Sequence, residues 1–141
     1  MDSLSLLKEI NKQGAKNNRV IDCLLQVHIA KEETKFGLDE QELQELITTT
    51  KNEFAELHNV RVAGMMGMAS FSENPDLIRK EFRHLKSLYD NIAQAPAGSG
   101  GPTSNLQLQT LSMGMSADYP IALEEGSNLV RIGSLIFGER N

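Results

Sequence analysis

A chain of 141 residues with a formal net charge of −5 has room for one domain with a real core, and not comfortably for two. The acidic balance excludes the basic footprint that nucleic acid or an anionic lipid surface demands. With Cys23 as the one cysteine no intrachain disulfide forms, and no window is apolar for long enough to span a bilayer.

Met1-Asp2-Ser3-Leu4 has no basic start and no long apolar run, so no signal peptide is expected. Together with a single cysteine read as a buried, reduced thiol, this places the chain in the cytoplasm. Leu4, Leu7 and Ile10 keep helical period within about Ser3 to Lys16, with Asp2 or Ser3 as the cap. A strand follows over Val20 to Ile29, with Cys23, Leu25, Val27 and Ile29 on one face and Leu24, Gln26 and His28 on the other. Asp39 and Glu42 have the spacing of a capping box at the start of a second helix, which carries Leu43, Leu46, Ile47, Thr50 and Phe54.

A second strand is expected over Val60 to Met68; Gly64 and Gly67 inside it point to close backbone approach. Pro75 opens a third helix with Leu77, Ile78, Phe82, Leu85, Tyr89 and Ile92 on its buried stripe. The Gly, Pro, Ala and Ser content of residues 93–105 predicts a flexible internal loop within a single domain spanning 1–141. A third strand over about Leu108 to Met113, a short helix over about Tyr119 to Glu125, a fourth strand over Leu129 to Ile132 and a last turn at Leu135-Ile136-Phe137 complete the order. The alternation predicts an α/β fold of parallel βα units with right-handed crossovers, either an open four-stranded sheet or half of a (β/α)8 barrel.

Three strand ends carry small or polar residues where a parallel strand meets its loop, the usual ligand face of such sheets. They are Gln26-Val27-His28-Ile29 with the loop to Gly37, Leu111 to Ser116, and Val130-Arg131-Ile132-Gly133-Ser134. Ser116 with Gly133-Ser134 has the makings of a phosphate cradle: a hydroxyl donor, a glycine permitting close approach, and free N–H groups of a following turn. The same residues also suit tight turns. Arg131, within an apolar strand, must face either a ligand or an ion-pair partner such as Glu124 or Glu125. Lys31 and Lys35 read as solvated charges beside Glu32 and Glu33. His28, His58 and His84 lack metal-ligand spacing, so no metal site is expected. The methionines near the strand ends read as packing.

The ordered set Leu111-Ser112-Met113-Gly114-Met115-Ser116-Ala117-Asp118-Tyr119, Ala122 to Gly126, Val130 to Ser134 and Ile136-Phe137-Gly138 resembles the C-terminal signature of the pyridoxal phosphate homeostasis protein family. Gln26 to Ile29, Glu33 to Gly37 and Gly64 to Met68 match it as well. That family is similar to the N-terminal barrel domain of alanine racemase, which implies a TIM-type (β/α)8 barrel with the cofactor at the C-terminal ends of its strands. The resemblance implies that Ser116, Gly133 and Ser134 contact the phosphate of pyridoxal 5′-phosphate and that Arg131 faces its pyridine nitrogen. An arginine cannot hand that nitrogen a proton, which fits a carrier better than a catalyst, so no enzyme activity is expected.

The family's opening strands, which carry the Schiff-base lysine, a Gly-Glu-Asn segment and a His-Phe-Ile-Gly segment, have no counterpart in this sequence. The chain is therefore expected to correspond to strands five to eight, the C-terminal half of the barrel, as a partial barrel domain with a phosphate cradle and weak or absent cofactor binding. Half a barrel exposes two sheet edges and an apolar lining, so a homodimer formed through that surface, or flattening into an open sheet, is expected. Two other readings stay open: an amino-acid racemase-like enzyme using the same cofactor, and an inert structural half-barrel.

Overall fold

The computed structural model describes residues 1–34, 36–49, 53, 56–95 and 105–139. Its elements are α1 (Leu4–Lys16), β1 (Ile21–Gln26), α2 (Glu40–Thr49), β2 (Val60–Gly67), α3 (Pro75–Gln94), β3 (Leu106–Met115), α4 (Tyr119–Glu124), β4 (Leu129–Arg131) and α5 (Ser134–Phe137). The strands form one sheet in the order β1-β2-β3-β4, every pair parallel. Among the described residues no helix is long and apolar enough to cross a membrane.

Local chemistry fixes where the helices begin. Ser3 caps α1, its hydroxyl accepting from the Leu6 N–H. Asp39 and Glu42 form the reciprocal box that their spacing predicts: Glu42 N–H donates to Asp39 Oδ1 at 2.7 Å, and Asp39 N–H to Glu42 Oε2 at 2.9 Å. Asn74 caps α3, accepting from the Asp76 and Leu77 N–H groups, with Pro75 in the first helical turn.

One core cluster joins Leu7, Leu43, Leu46, Ile47, Ile78, Phe82, Leu85, Leu88, Ile92 and Ala122 of the helices to Cys23, Leu25, Val62, Met65, Leu111 and Met113 of the strands. The helices thus cover one face of the sheet, unlike a doubly wound fold, which covers both. Strand alternation puts the intervening residues on the other face. The register aligns Gln26, Met66, Ser112 and Leu129 in one row across all four strands of that helix-free face.

The outer edge of β1 is engaged from within the chain. The Met1 amino group donates to Leu24 O at 2.9 Å and Gln26 N–H to Met1 O at 2.8 Å. Leu38 N–H then donates to Gln26 O and His28 N–H to Leu38 O, both at 2.8 Å. Two residues from separate segments therefore bond this strand in the manner of a parallel neighbour, so the bare edge expected there is bonded over Leu24 to His28.

Several boundaries differ from those expected. β1 is shorter than Val20 to Ile29, because Val20 is exposed and His28 turns its N–H to Leu38. β3 is longer than Leu108 to Met113: Leu106 alternates with exposed Gln107 and Gln109, and Met115 still pairs with Arg131. Ala93 and Gln94, assigned to the loop, belong to α3, whose last turn is anchored by buried Ile92. Residues 96–104 of that loop, with Lys35, Thr50 and Phe54, lie outside the described residues.

Gly64 lies where β3 approaches β2 so closely that a Cβ would stand 1.9 Å from Thr110 O. Gly64→Ala should therefore lose about 3 kcal/mol or more of stability in urea unfolding. Cys23 is buried, and burial pushes its thiol pKa up. Native protein should consequently resist iodoacetamide at pH 8, and urea-unfolded protein should be alkylated rapidly, as mass spectrometry would record.

Candidate functional site

The loops leaving β2, β3 and β4 enclose an open cleft of about 930 Å³, within the range of small-molecule sites. Ser116, Arg131, Gly133 and Ser134, singled out from sequence, all line it. The β2 side supplies Ala69 to Ser72, with Ile78 of α3 behind. The first loaded strand end does not take part. Its segment folds back on β1, with the Gln26 side-chain amide donating to Phe36 O at 3.1 Å. Among the described residues no three metal-ligating side chains gather in one place.

The β3 tip is bent by Gly114, whose φ of +93° few L side chains adopt and whose Cβ would lie 2.6 Å from Ala122 Cβ of α4. Buried Asp118 holds the turn that follows, its Oδ1 accepting from Met115 N–H at 2.7 Å. This delivers Ser116 into the cleft. Its oxygen accepts from Leu135 N–H at 3.5 Å, which ties the β3 tip to α5 and leaves the hydroxyl proton to donate elsewhere.

β4 is short and is held by side chains. Asn128 accepts from Leu111 N–H through Oδ1 and donates to Gln109 O through Nδ2, both at 2.8 Å, in the manner of a backbone ladder. The buried Ser127 hydroxyl accepts from Met113 N–H at 3.1 Å and lies 2.8 Å from Met113 O. Together they bridge the register shift between Ser112 and Met115 and set the position of Arg131.

Neither ion-pair partner suggested for Arg131 by its sequence context bonds it. Glu124 and Glu125 are engaged elsewhere: Arg79 reaches both at 2.6 Å, and Arg83 Nε reaches Glu125 at 2.8 Å. Burial raises the Glu125 pKa, but its bonds to Arg83 and Arg79 outweigh that and hold it below the usual range. Arg131 Nε and Nη2 are sealed from solvent and have no hydrogen-bond partner among the described residues. At the wall of a cleft, such nitrogens still have acceptor capacity to fill that the described residues do not supply.

Gly133 has an ordinary negative φ of −116°, and a Cβ there would meet nothing within 4 Å. Neither backbone conformation nor packing calls for glycine, so the absent side chain leaves open cleft. Ile136 and Phe137 N–H groups both bond Gly133 O, closing the single turn of α5. A one-turn helix contributes its first N–H groups and little macrodipole. An oxyanion fits this donor set, comprising a hydroxyl, turn amides and a fixed cation, and the two features suit a group of pyridoxal phosphate's kind.

Sequence reasoning gave no site role to Ser70, Glu81, Ser127, Asn128 or the cleft-lining Phe71, nor to Asp118 and Phe137, which it named only as parts of the family resemblance. Glu81 had a signal: three residues after Ile78 and next to Phe82, it is a charge on the apolar stripe of α3.

The family described as alanine racemase, N-terminal domain, matches residues 1–141. The pyridoxal phosphate homeostasis protein of Aquifex aeolicus is 42% identical over 140 residues, covering 99% of this chain and 56% of that protein. The protein of the same name from Haemophilus influenzae is 31% identical over 141 residues, covering 100% and 55%. PipY of Synechococcus elongatus, solved with PLP bound, superposes with a TM-score of 0.78 at 25% identity, covering 98% of this chain and 58% of that one. The chain thus spans just over half the length of the curated relatives it matches.

Leaving two guanidinium nitrogens without acceptors carries an energetic cost in the ligand-free protein. Arg131→Met should raise ligand-free stability by about 1 kcal/mol in urea unfolding, the opposite of what loss of a structural ion pair would do.

Proposed function

The chain belongs to the alanine racemase N-terminal domain family, and on that premise we propose that it binds pyridoxal 5′-phosphate without catalysing a reaction. In this reading the Ser116 hydroxyl and the backbone at Gly133 and Ser134 hold the phosphate, and Arg131 faces the ring nitrogen. The cofactor, when bound, supplies a reactive aldehyde and an electron-withdrawing pyridine ring. Arg131 stays protonated, so it orients that nitrogen and gives it no proton; the ring is then a weaker electron sink than one paired with a carboxylate. The observation that carries the reading is the unpartnered Arg131 guanidinium on the same cleft as the open space above Gly133.

The same proposal assigns these residues to strands five to eight of an eight-stranded barrel, with the covalent lysine outside them. Sequential parallel order and helices on one face support that assignment. Binding by these residues alone is then non-covalent and weak. A cytoplasmic setting belongs to the same reading and suits a single reduced thiol. Self-association, also part of it, is favoured at β4 and α5, where Leu129, Leu135, Ile136 and Phe137 are exposed, and disfavoured along the bonded stretch of the β1 edge.

Calorimetric titration with inorganic phosphate and with pyridoxal phosphate tests the proposal. Saturable binding of both is expected, the phosphate with a Kd on the order of 1 mM. Ser116→Ala should weaken both by about tenfold, the worth of one hydrogen bond to a charged group. Gly133→Ala should leave the melting temperature unchanged and abolish binding, because its methyl group fills the space left for the anion. Wild-type protein that takes up neither ligand at roughly 10 mM would leave an inert scaffold as the remaining reading.

A further inference from the structure

Glu81 is a carboxylate only 6% exposed, on the core-facing side of α3. A buried charge persists where hydrogen bonds replace its hydration. Both of its bonds come from one residue of the cleft wall: Ser70 N–H donates to Oε2 at 2.7 Å, and the Ser70 hydroxyl donates to Oε1 at 2.7 Å. The Ser70 oxygen in turn accepts from Lys31 N–H at 2.9 Å, so the loops after β1 and β2 and the helix α3 meet at this one side chain. The next amide along, Phe71 N–H, donates to Glu32 Oε1 at 2.9 Å.

Two consecutive amides of the β2 loop are thus taken up by carboxylates. The Ser70 and Phe71 stretch of that wall therefore has no donor to offer a phosphate, while Ser72 beyond it accepts from Asn74 N–H and keeps its hydroxyl proton. The Ser116 hydroxyl and the Arg131 guanidinium lie at the tips of β3 and β4. One strand, β3, separates β2 from β4, which puts the rigid wall and the β4 tip about 10 Å apart. A phosphate at the β3 and β4 tips stops short of the wall, whereas a phosphorylated ring held by the same tips extends toward it.

We infer that Glu81 is a positioning residue: through Ser70 it fixes the wall that receives the ring of a phosphorylated heteroaromatic ligand, and it has no part in holding the phosphate. The inference rests on the proposed cofactor reading and names the side of the cleft that gives it selectivity. Ser70, whose hydroxyl is committed to Glu81 and Lys31, shapes that wall and does not donate to the ligand.

The test compares two ligands on each of four proteins by calorimetry. Glu81→Ala should weaken pyridoxal phosphate by about tenfold, through lost preorganisation, while inorganic phosphate stays within about twofold of wild type. Glu81→Gln, which keeps one acceptor, should fall between, and Ser70→Ala should give a smaller loss confined to pyridoxal phosphate. Hydrogen exchange at the Ser70 and Phe71 amides should quicken in Glu81→Ala without ligand. Equal shifts for both ligands, or no shift for either, would overturn the inference while the cofactor reading stands. Wild-type protein that binds phosphate but not pyridoxal phosphate would remove the cofactor reading and this inference with it. Should Glu81→Ala fail to fold, Ser70→Ala decides: it keeps the amide bond to Glu81 and drops only the hydroxyl relay.

Discussion

Two nitrogens of one guanidinium, shielded from water and without an acceptor among the described residues, are the feature around which this structure is arranged. Arg131 sits on a strand of three residues, too short to be held by its own ladder. Asn128 and Ser127 take over that role, bonding the backbone of β3 with side chains. Arg79 and Arg83 bond Glu124 at the end of α4 and Glu125 just after it, so neither glutamate pairs with Arg131. Such a group costs stability in the ligand-free protein, and the proposed reading gives it an external acceptor.

The cleft divides chemically along the sheet. At β3 and β4 the polar groups face outward: the Ser116 hydroxyl, the first turn of α5 and Arg131. At β2 they face inward, with Ser70 and Phe71 amides bound to Glu81 and Glu32. In the proposed reading, donors on one flank and the committed Ser70 and Phe71 amides on the other give a ligand one orientation. Asp118 and Gly114 serve the donor flank as Glu81 serves the sealed one. Each is buried and each fixes a loop by one or two contacts, Asp118 doing so from the cleft wall itself.

Much of the scaffold was legible because it follows local rules. The Asp39–Glu42 box, the Pro75 start and the periods of α1 and α3 involve residues three or four apart, so their spacing states their contacts. The close approach at Gly64 was legible as a type of event, and its partner, Thr110, was not. Register shifts between β1 and β2, β2 and β3, and β3 and β4 could not be read, because they depend on how neighbouring strands pack. The four cleft residues were found because the family resemblance picks out these small residues among many at strand ends, and because an arginine within an apolar strand stands out. Ser70 was passed over because a serine after a strand looks like any turn residue; only the buried carboxylate eleven positions on gives it meaning.

The two flanks of the sheet are not equivalent. At β1 the outer backbone groups from Leu24 to His28 are bonded by Met1 and Leu38, so that flank is closed within the described chain. At β4 the neighbouring side chains Leu129, Leu135, Ile136 and Phe137 are exposed. Apolar surface in water favours whatever covers it. The residues expected to hold an anion are on this open flank, Arg131 on β4 itself and Ser134 on α5. In the proposed reading, a contact that buries the open flank also walls in the cleft and lowers the solvent screening of an anion beside Arg131, which strengthens their attraction. On that reading cover and ligand are coupled by their shared position at β4 and α5.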